Sequence, residues 1–396
     1  MIRSISLFVF FLFVFFHLSK AQRSESDDTK NPLKDIKFRV AEAPEWNNLF
    51  TRKSGWFGGD GIYSIPLNGV EKNGSKSRKT LFIFSDSMIG NIKEGKIEHS
   101  VMIHNSTAIL QGDKPIDKNF TFNWKKNNKE ANTVFVPSTA ETGPQDYYWL
   151  GDGFVNQELD NAVYIFGYRI KQVGSGTFGF AEVGNTLIKI RKRDVEEVLD
   201  FEQKDSPFYI RKDGETGSFG AGIYVNTKSA GAKASDGYVY VYGVHGKAKQ
   251  LLVGRVKPVD FENYNKWTFW NGKDWTETMT DASAVANKVS NELSVSQLPD
   301  GRYALIYQEG GMGRYVSMRI GESPIGPFGP AIRLWDCGPS LTKSSYFAYN
   351  AKAHPSLSAK GELLISYNVN SFEFLKDLSS DPHFYRPRFI KVEFQN

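Results

Sequence analysis

WFGGDGIYSIPL, residues 56–67, and TLFIFSDSMIG, residues 80–90, set the pattern on which the rest of the chain is read. A glycine-rich entry with one acidic residue leads into a short run of β-prone residues. A turn follows, and the next run is almost wholly Leu, Ile and Phe. Runs of aromatic and β-branched residues bounded by Gly, Asn, Ser and Pro read as strands. In this first group HSVMIHNSTAIL (99–110) reads as the third strand. The order then recurs four times. YYWLGDGFV (147–155) precedes AVYIFGYRI (162–170) and NTLIKIRK (185–192), and FGAGIYVN (219–226) precedes GYVYVYGVHG (237–246) and LLVGRVK (251–257). NELSVSQL (291–298) precedes GRYALIYQE (301–309) and YVSMRIG (315–321), and YNAKAHPSLS (349–358) precedes GELLISYNV (361–369) and RFIKVEF (388–394). Five groups at a period of roughly 70 residues predict an all-β fold, a five-bladed β-propeller whose five entry strands line one central channel. The competing architecture is a double β-sandwich, which the fivefold rhythm disfavours.

Composition agrees with a folded chain: of 396 residues 40% are hydrophobic, 14% aromatic and 23% charged. A formal charge of +5, spread evenly, excludes a nucleic-acid footprint. The first residues, MIRSISLFVFFLFVFFHLSKAQ, set Arg3 before an apolar run from Leu7 to Phe16, then small residues at Ser19 and Ala21. That run is half of what spans a bilayer, so residues 1–21 read as a signal peptide cleaved after Ala21. The mature protein is expected outside the cytoplasm, secreted, periplasmic or at the cell surface, with no membrane span. The polar segment 22–37 reads as a flexible lead-in, and residues 38–396 as a single domain, expected to be monomeric. Cys337 is the sole cysteine, so no internal disulfide forms.

The chain lacks GxSxG, HExxH, CxxC and the Walker and Rossmann glycine patterns. What it offers instead is carboxylates beside glycines and aromatic rings at strand ends: Asp60, Asp86, Asp152 and Glu292. Glycoside hydrolysis needs one carboxylic acid to protonate the leaving oxygen and one carboxylate to activate water or attack carbon. Trp56 beside Asp60, and Tyr148 and Trp149 before Asp152, suit stacking on sugar faces. GDG is equally a plain turn sequence, and a buried Asp satisfied by backbone donors is the structural alternative for Asp86. Glu292 can equally be a polar residue at a strand start. Asp86 ends an apolar strand, so its carboxyl is expected to be raised and to act as the acid, with Asp60 as nucleophile or base. Further candidates for the substrate site are Asn105, Asn350, His354, Tyr385 and Arg386. His354 is weighed against a satisfied structural histidine, and Arg386 against a surface ion pair.

These segments, together with SPIGPF (323–328) and YNAKAHPSLSAKGELLISYNVNS (349–371), resemble the secreted bacterial five-bladed propellers grouped as domains of unknown function 4185 and 5005. The first group resembles glycoside hydrolase family 183, whose activity is endo-acting cleavage of D-arabinan, and the architecture is more distantly similar to families 43 and 117. The resemblance covers nearly all of 38–396. It implies a hydrolase acting on a polysaccharide or oligosaccharide, with a furanose-containing glycan such as arabinan in view, and maps the blade-one aspartates onto Asp60 and Asp86 and a second-blade aspartate onto Asp152. The glutamate acid of family 43 finds no match in the third entry strand. No cofactor is required by this reading. Some such propellers hold a calcium near the axis beside a histidine, and His354 would be the matching residue and metal contact. The alternative function is a non-catalytic carbohydrate-binding propeller.

Overall fold

The computed structural model describes residues 32–395 apart from 176–178, 197 and 199. The leader and most of the lead-in therefore lie outside the described residues. The chain is all-β, and five antiparallel sheets follow one another along it. Their entry strands, called first strands below, are Tyr63–Pro66, Tyr147–Asn156, Glu215–Asn226 (which the short Tyr209–Lys212 precedes in the same sheet), Leu293–Gln297 and Tyr346–Ala353. Each first strand packs on the next in chain order. The fifth returns to the first through Ser64 Oγ and His354 Nδ1, 2.8 Å apart, and through the Lys352 ammonium, which donates to the Ile62 carbonyl at 2.9 Å.

The second strand of each sheet explains the long apolar runs. Lys79–Phe84, Ala162–Gln172, Tyr238–His245, Tyr303–Gln308 and Glu362–Ser371 are buried on both faces, and the strand period of two deals their side chains alternately to two neighbours. Leu81 and Ile83 meet Val163 and Ile165 of the second sheet, whereas Phe82 and Phe84 meet Leu364 and Phe389 of the fifth. Tyr164 and Phe166 pack with Val239 and Val241, Tyr240 and Tyr242 with Leu305 and Tyr307, and Ala304 and Ile306 with Ala348 and Ile365. Five apolar interfaces thus join five sheets, and the fifth interface closes the series. A two-sheet sandwich would have one such core.

Three features differ from the sequence expectation. HSVMIHNSTAIL is two strands, Lys96–Ile103 and Ser106–Gln111, in different sheets. The break falls where Asn105 turns its side chain onto the backbone of Phe135 and Tyr148. The segment Ser54–Gly59 pairs with Ser87–Lys93, which in turn pairs with Lys96–Ile103, in a separate three-stranded sheet. Finally, the N-terminal strand Phe38–Glu42 pairs with Pro387–Phe394, so both ends of the domain share the fifth sheet. Just before it, the Arg302 guanidinium donates to the carbonyls of Pro32 and Asp35.

Candidate active site

The glycines of WFGGDG are there because backbone passes over backbone. A Cβ on Gly58 would lie 2.4 Å from the Tyr385 carbonyl oxygen, and Gly59 donates to that same oxygen at 3.0 Å. The backbone of Asp60 then meets the end of the neighbouring apolar strand, its N–H reaching the Asp86 carbonyl at 3.2 Å while its own carbonyl accepts from Ser85 at 2.9 Å. Two aspartates 26 positions apart in sequence are thereby set side by side. Tyr349 donates its hydroxyl to Asp60 Oδ2 and accepts from Asn370 Nδ2 at 3.1 Å. The Tyr385 hydroxyl lies 3.2 Å from the Asp86 carbonyl and within bonding reach of the Asp60 carboxyl.

Burial, and then the charge of Asp86, push the Asp60 carboxyl up to about 8. At neutral pH Asp60 is therefore a protonated acid. The sequence expectation set the acid at Asp86; the raised carboxyl found is Asp60. Tyr349 and Tyr385 crowd the Asp60 carboxyl, and Asp86 has His104 Nδ1 at 3.2 Å from its Oδ1.

The other two carboxylates are held differently. Asp152 accepts from the Gly153 N–H at 2.8 Å and from the Ile223 N–H at 2.7 Å, tying the second first strand to the third. Burial still raises it to about 7 against those bonds. Glu292 forms a buried ion pair with Lys352, whose ammonium also lies 4.1 Å from the centre of the Tyr63 ring. Asp60, Asp152 and Glu292 all couple electrostatically to Lys352, so one cation lies within reach of three acidic groups brought from different parts of the chain.

Several predicted binding residues take structural places instead. Trp56 is buried at 1% exposure, stacked on Phe122 at 4.6 Å and packed against Phe50 and Phe84, so it offers no face to a sugar. Asn105 is fully buried and spends its amide on Phe135 and Tyr148 backbone. Tyr148 is equally buried, its hydroxyl bonded to Thr186 and Gln203, because strand alternation turns it away from the faces of Tyr147 and Trp149. Asn350 supplies a left-handed backbone, φ 60°, at the bulge between Tyr349 and Lys352. Tyr385 belongs to the site as a hydrogen-bond donor rather than a stacking ring. Arg386 donates to the Pro387 carbonyl and lies beside Arg388; burial and that neighbour lower it to about 10.

His354 is the satisfied histidine of the two alternatives. Its Nδ1 is 2.8 Å from Ser64 Oγ and its Nε2 2.8 Å from Ser366 Oγ, and burial drops it to about 3, so it stays neutral. With both nitrogens engaged it does not fit a calcium, and among the described residues no three His, Cys, Asp or Glu side chains cluster as metal ligands. Of the predicted rings only Trp149 is half-exposed. His104, Tyr349 and Lys352 were not read from the sequence. Lys352 stands two residues before His354 on the same face of its strand, a spacing that could have pointed to it.

A family model described as Domain of unknown function (DUF5005) matches residues 44–394. No curated protein matches the chain. Among solved structures, a provisionally assigned hydrolase from Bacteroides ovatus ATCC 8483 superposes with a TM-score of 0.69 at 20% identity, over 92% of this chain and 97% of the other. An exo-β-1,3-galactanase from Phanerochaete chrysosporium gives 0.44 at 11% identity, over 84% and 60%. An α-L-arabinofuranosidase from Podospora anserina gives 0.41 at 11%, over 87% and 98%. At 20% identity the likeness to the Bacteroides ovatus protein is one of fold.

Proposed function

The chain belongs to the DUF5005 family, and from the two aspartates its fold brings together we propose that it is a glycoside hydrolase of five-bladed propeller architecture. The five sheets with five closing interfaces support the propeller reading. The observation that carries the activity is the adjacency of Asp60, protonated at neutral pH, and Asp86, in the link between strands Lys79–Phe84 and Ser87–Lys93, through their backbone hydrogen bond. Asp60 protonates the glycosidic oxygen as it leaves. Asp86, oriented by His104, attacks the anomeric carbon or takes a proton from water. Asp152 and the Glu292–Lys352 pair set the field in the funnel and bond sugar hydroxyls.

The substrate is a polysaccharide or oligosaccharide, and the likeness of the first group to family 183 favours a furanose-containing chain such as arabinan. No helix among the described residues is long and apolar enough to cross a membrane. The protein acts outside the cytoplasm as a monomer, after cleavage behind Ala21. N-terminal sequencing of the exported form should begin at Gln22; a chain that keeps Met1 would refute the leader.

A second reading, carbohydrate binding without turnover, draws on the way backbone amides and Lys352 engage Asp152 and Glu292. A panel of plant, algal and bacterial-envelope glycans separates the two. Release of reducing ends that is lost in Asp60→Asn supports hydrolysis, whereas binding without release supports the second reading.

A further inference from the structure

A line of half-exposed rings leads away from Asp86 across the second sheet. His104, which bonds Asp86, stacks on Tyr147 with centroids 3.8 Å apart and planes at 15°. Tyr147 meets Trp149 edge-on at 6.1 Å, and Trp149 meets Phe180 at 4.4 Å. The charge of Asp86 still acts on the Tyr147 hydroxyl. Tyr147 and Trp149 are two apart on one strand, and so are Phe180 and Glu182 on another, so each pair shares a face. The strip therefore ends at the Glu182 carboxyl.

Glu182 stands in the third strand of the second sheet, close to Glu215–Asn226 of the third, whose residues 219–226 carry no carboxylate. It acts on Tyr168, the cross-strand partner of Trp149, and Tyr168 in turn feels Glu292 and Asp152. Glu182 is thus electrostatically continuous with the funnel. Burial raises it to about 7, against a bond from Ser218 and the charge of Lys249, which leaves it able to donate or accept at neutral pH. Among the described residues, Glu182 Oε1 and Trp149 Nε1 are buried without a hydrogen-bond partner. Two such atoms at the end of one aromatic strip call for a polar ligand.

We propose that Trp149, Tyr168 and Glu182 form a second sugar-binding subsite, filled by a further furanose residue of the glycan chain that is cut between Asp60 and Asp86. The proposal rests on the glycosidase reading for the identity of the chain. The rings give it stacking surface, and Glu182 gives it a hydroxyl partner that fixes orientation.

Calorimetry with arabino-oligosaccharides of two to six units, on the Asp60→Asn protein so that nothing is cut, tests it. Affinity should rise with length, and Trp149→Ala or Glu182→Gln should erase that rise, a loss of about tenfold on the longest chain, or ~1.4 kcal/mol. Glu182→Gln keeps the side-chain shape, so it gives a result even if Trp149→Ala does not fold. Binding that rises with length equally in parent and variants overturns the subsite, as does failure of every oligomer to bind. Length-dependent binding that needs Glu182, in a protein that cuts no glycan, would leave the subsite standing and remove the hydrolase reading instead.

Discussion

Asp60 is where burial and chemistry meet. A carboxyl that stays protonated up to about pH 8 can act as general acid at neutrality. The account therefore predicts that kcat/KM falls as pH rises through about 8, and an activity profile flat to pH 10 would contradict it. The same shift affects stability, and its sign can be worked out. Between about pH 4 and 8 the unfolded chain releases the Asp60 proton that the folded chain keeps, so this group lowers stability as pH rises through that window. Asp60→Asn removes the penalty. Its Tm relative to the parent should climb from pH 4 to pH 8 by about 2 °C or more, read by calorimetry. A difference independent of pH would mean that Asp60 is not raised. Such a cost is common at functional sites, where a group is held in the state its task needs. At this scale the sequence pointed to Asp60 and Asp86, which the fold sets side by side, but not to the raised state of Asp60. Asp60 is legible as an acid between glycines beside Trp56, and Asp86 as the one charge that follows the apolar run Leu81–Phe84. The hydroxyls that crowd Asp60 belong to Tyr349 and Tyr385, roughly 300 residues downstream, and no local pattern carries them. The choice between the two readings of His354 was likewise beyond local sequence, since Ser64 and Ser366, which satisfy it, arrive from other strands.

At the scale of the element, first strands are shaped by bulges. The ladder shifts between Leu150 and Gly153, between Phe219 and Gly222, and between Tyr349 and Lys352, at matching places in the second, third and fifth sheets. A bulge re-aims the side chains beside it; in the second sheet it carries Asp152 and in the fifth it brings Lys352 inward. In the third sheet the corresponding Gly220 has φ 110° and a Cβ there would sit 2.5 Å from Phe166. Gly58 makes the sharpest test. An alanine would drive its Cβ into the Tyr385 carbonyl, and since that is backbone the loop must move, taking the tyrosine hydroxyl from the aspartates. Gly58→Ala should cost about 2 kcal/mol or more by denaturant unfolding, and lower turnover as well. Wild-type stability would show that the loop yields freely. The second strands were legible because burial on both faces leaves them almost wholly apolar. The outermost strands Phe120–Asn123, Glu202–Ser206 and Ile332–Asp336 were not, being short and half-polar.

For the molecule as a whole, closure is the governing fact. Phe38–Glu42 pairs over its full length with Pro387–Phe394, so the two chain ends lock one sheet, and the interface between fifth and first sheets holds Trp46, Phe50 and Phe389. Removing residues up to Glu42 should expose the edge of the last strand, lower Tm and broaden the transition. An unchanged melting curve would show that the ring holds without this pairing. Closure also assembles the site, since Asp60, Glu292 and Lys352 come from the first, fourth and fifth sheets and meet only when the series returns to its start. The most direct test of the central claim is the turnover of Asp60→Asn and Asp86→Asn on a glycan that the wild-type protein cuts, with binding measured alongside. General acid–base help is worth about 10²–10⁴-fold, so each variant should lose at least a hundredfold in kcat while still binding the glycan. Wild-type turnover in either variant would contradict the assignment of that aspartate to the catalytic pair.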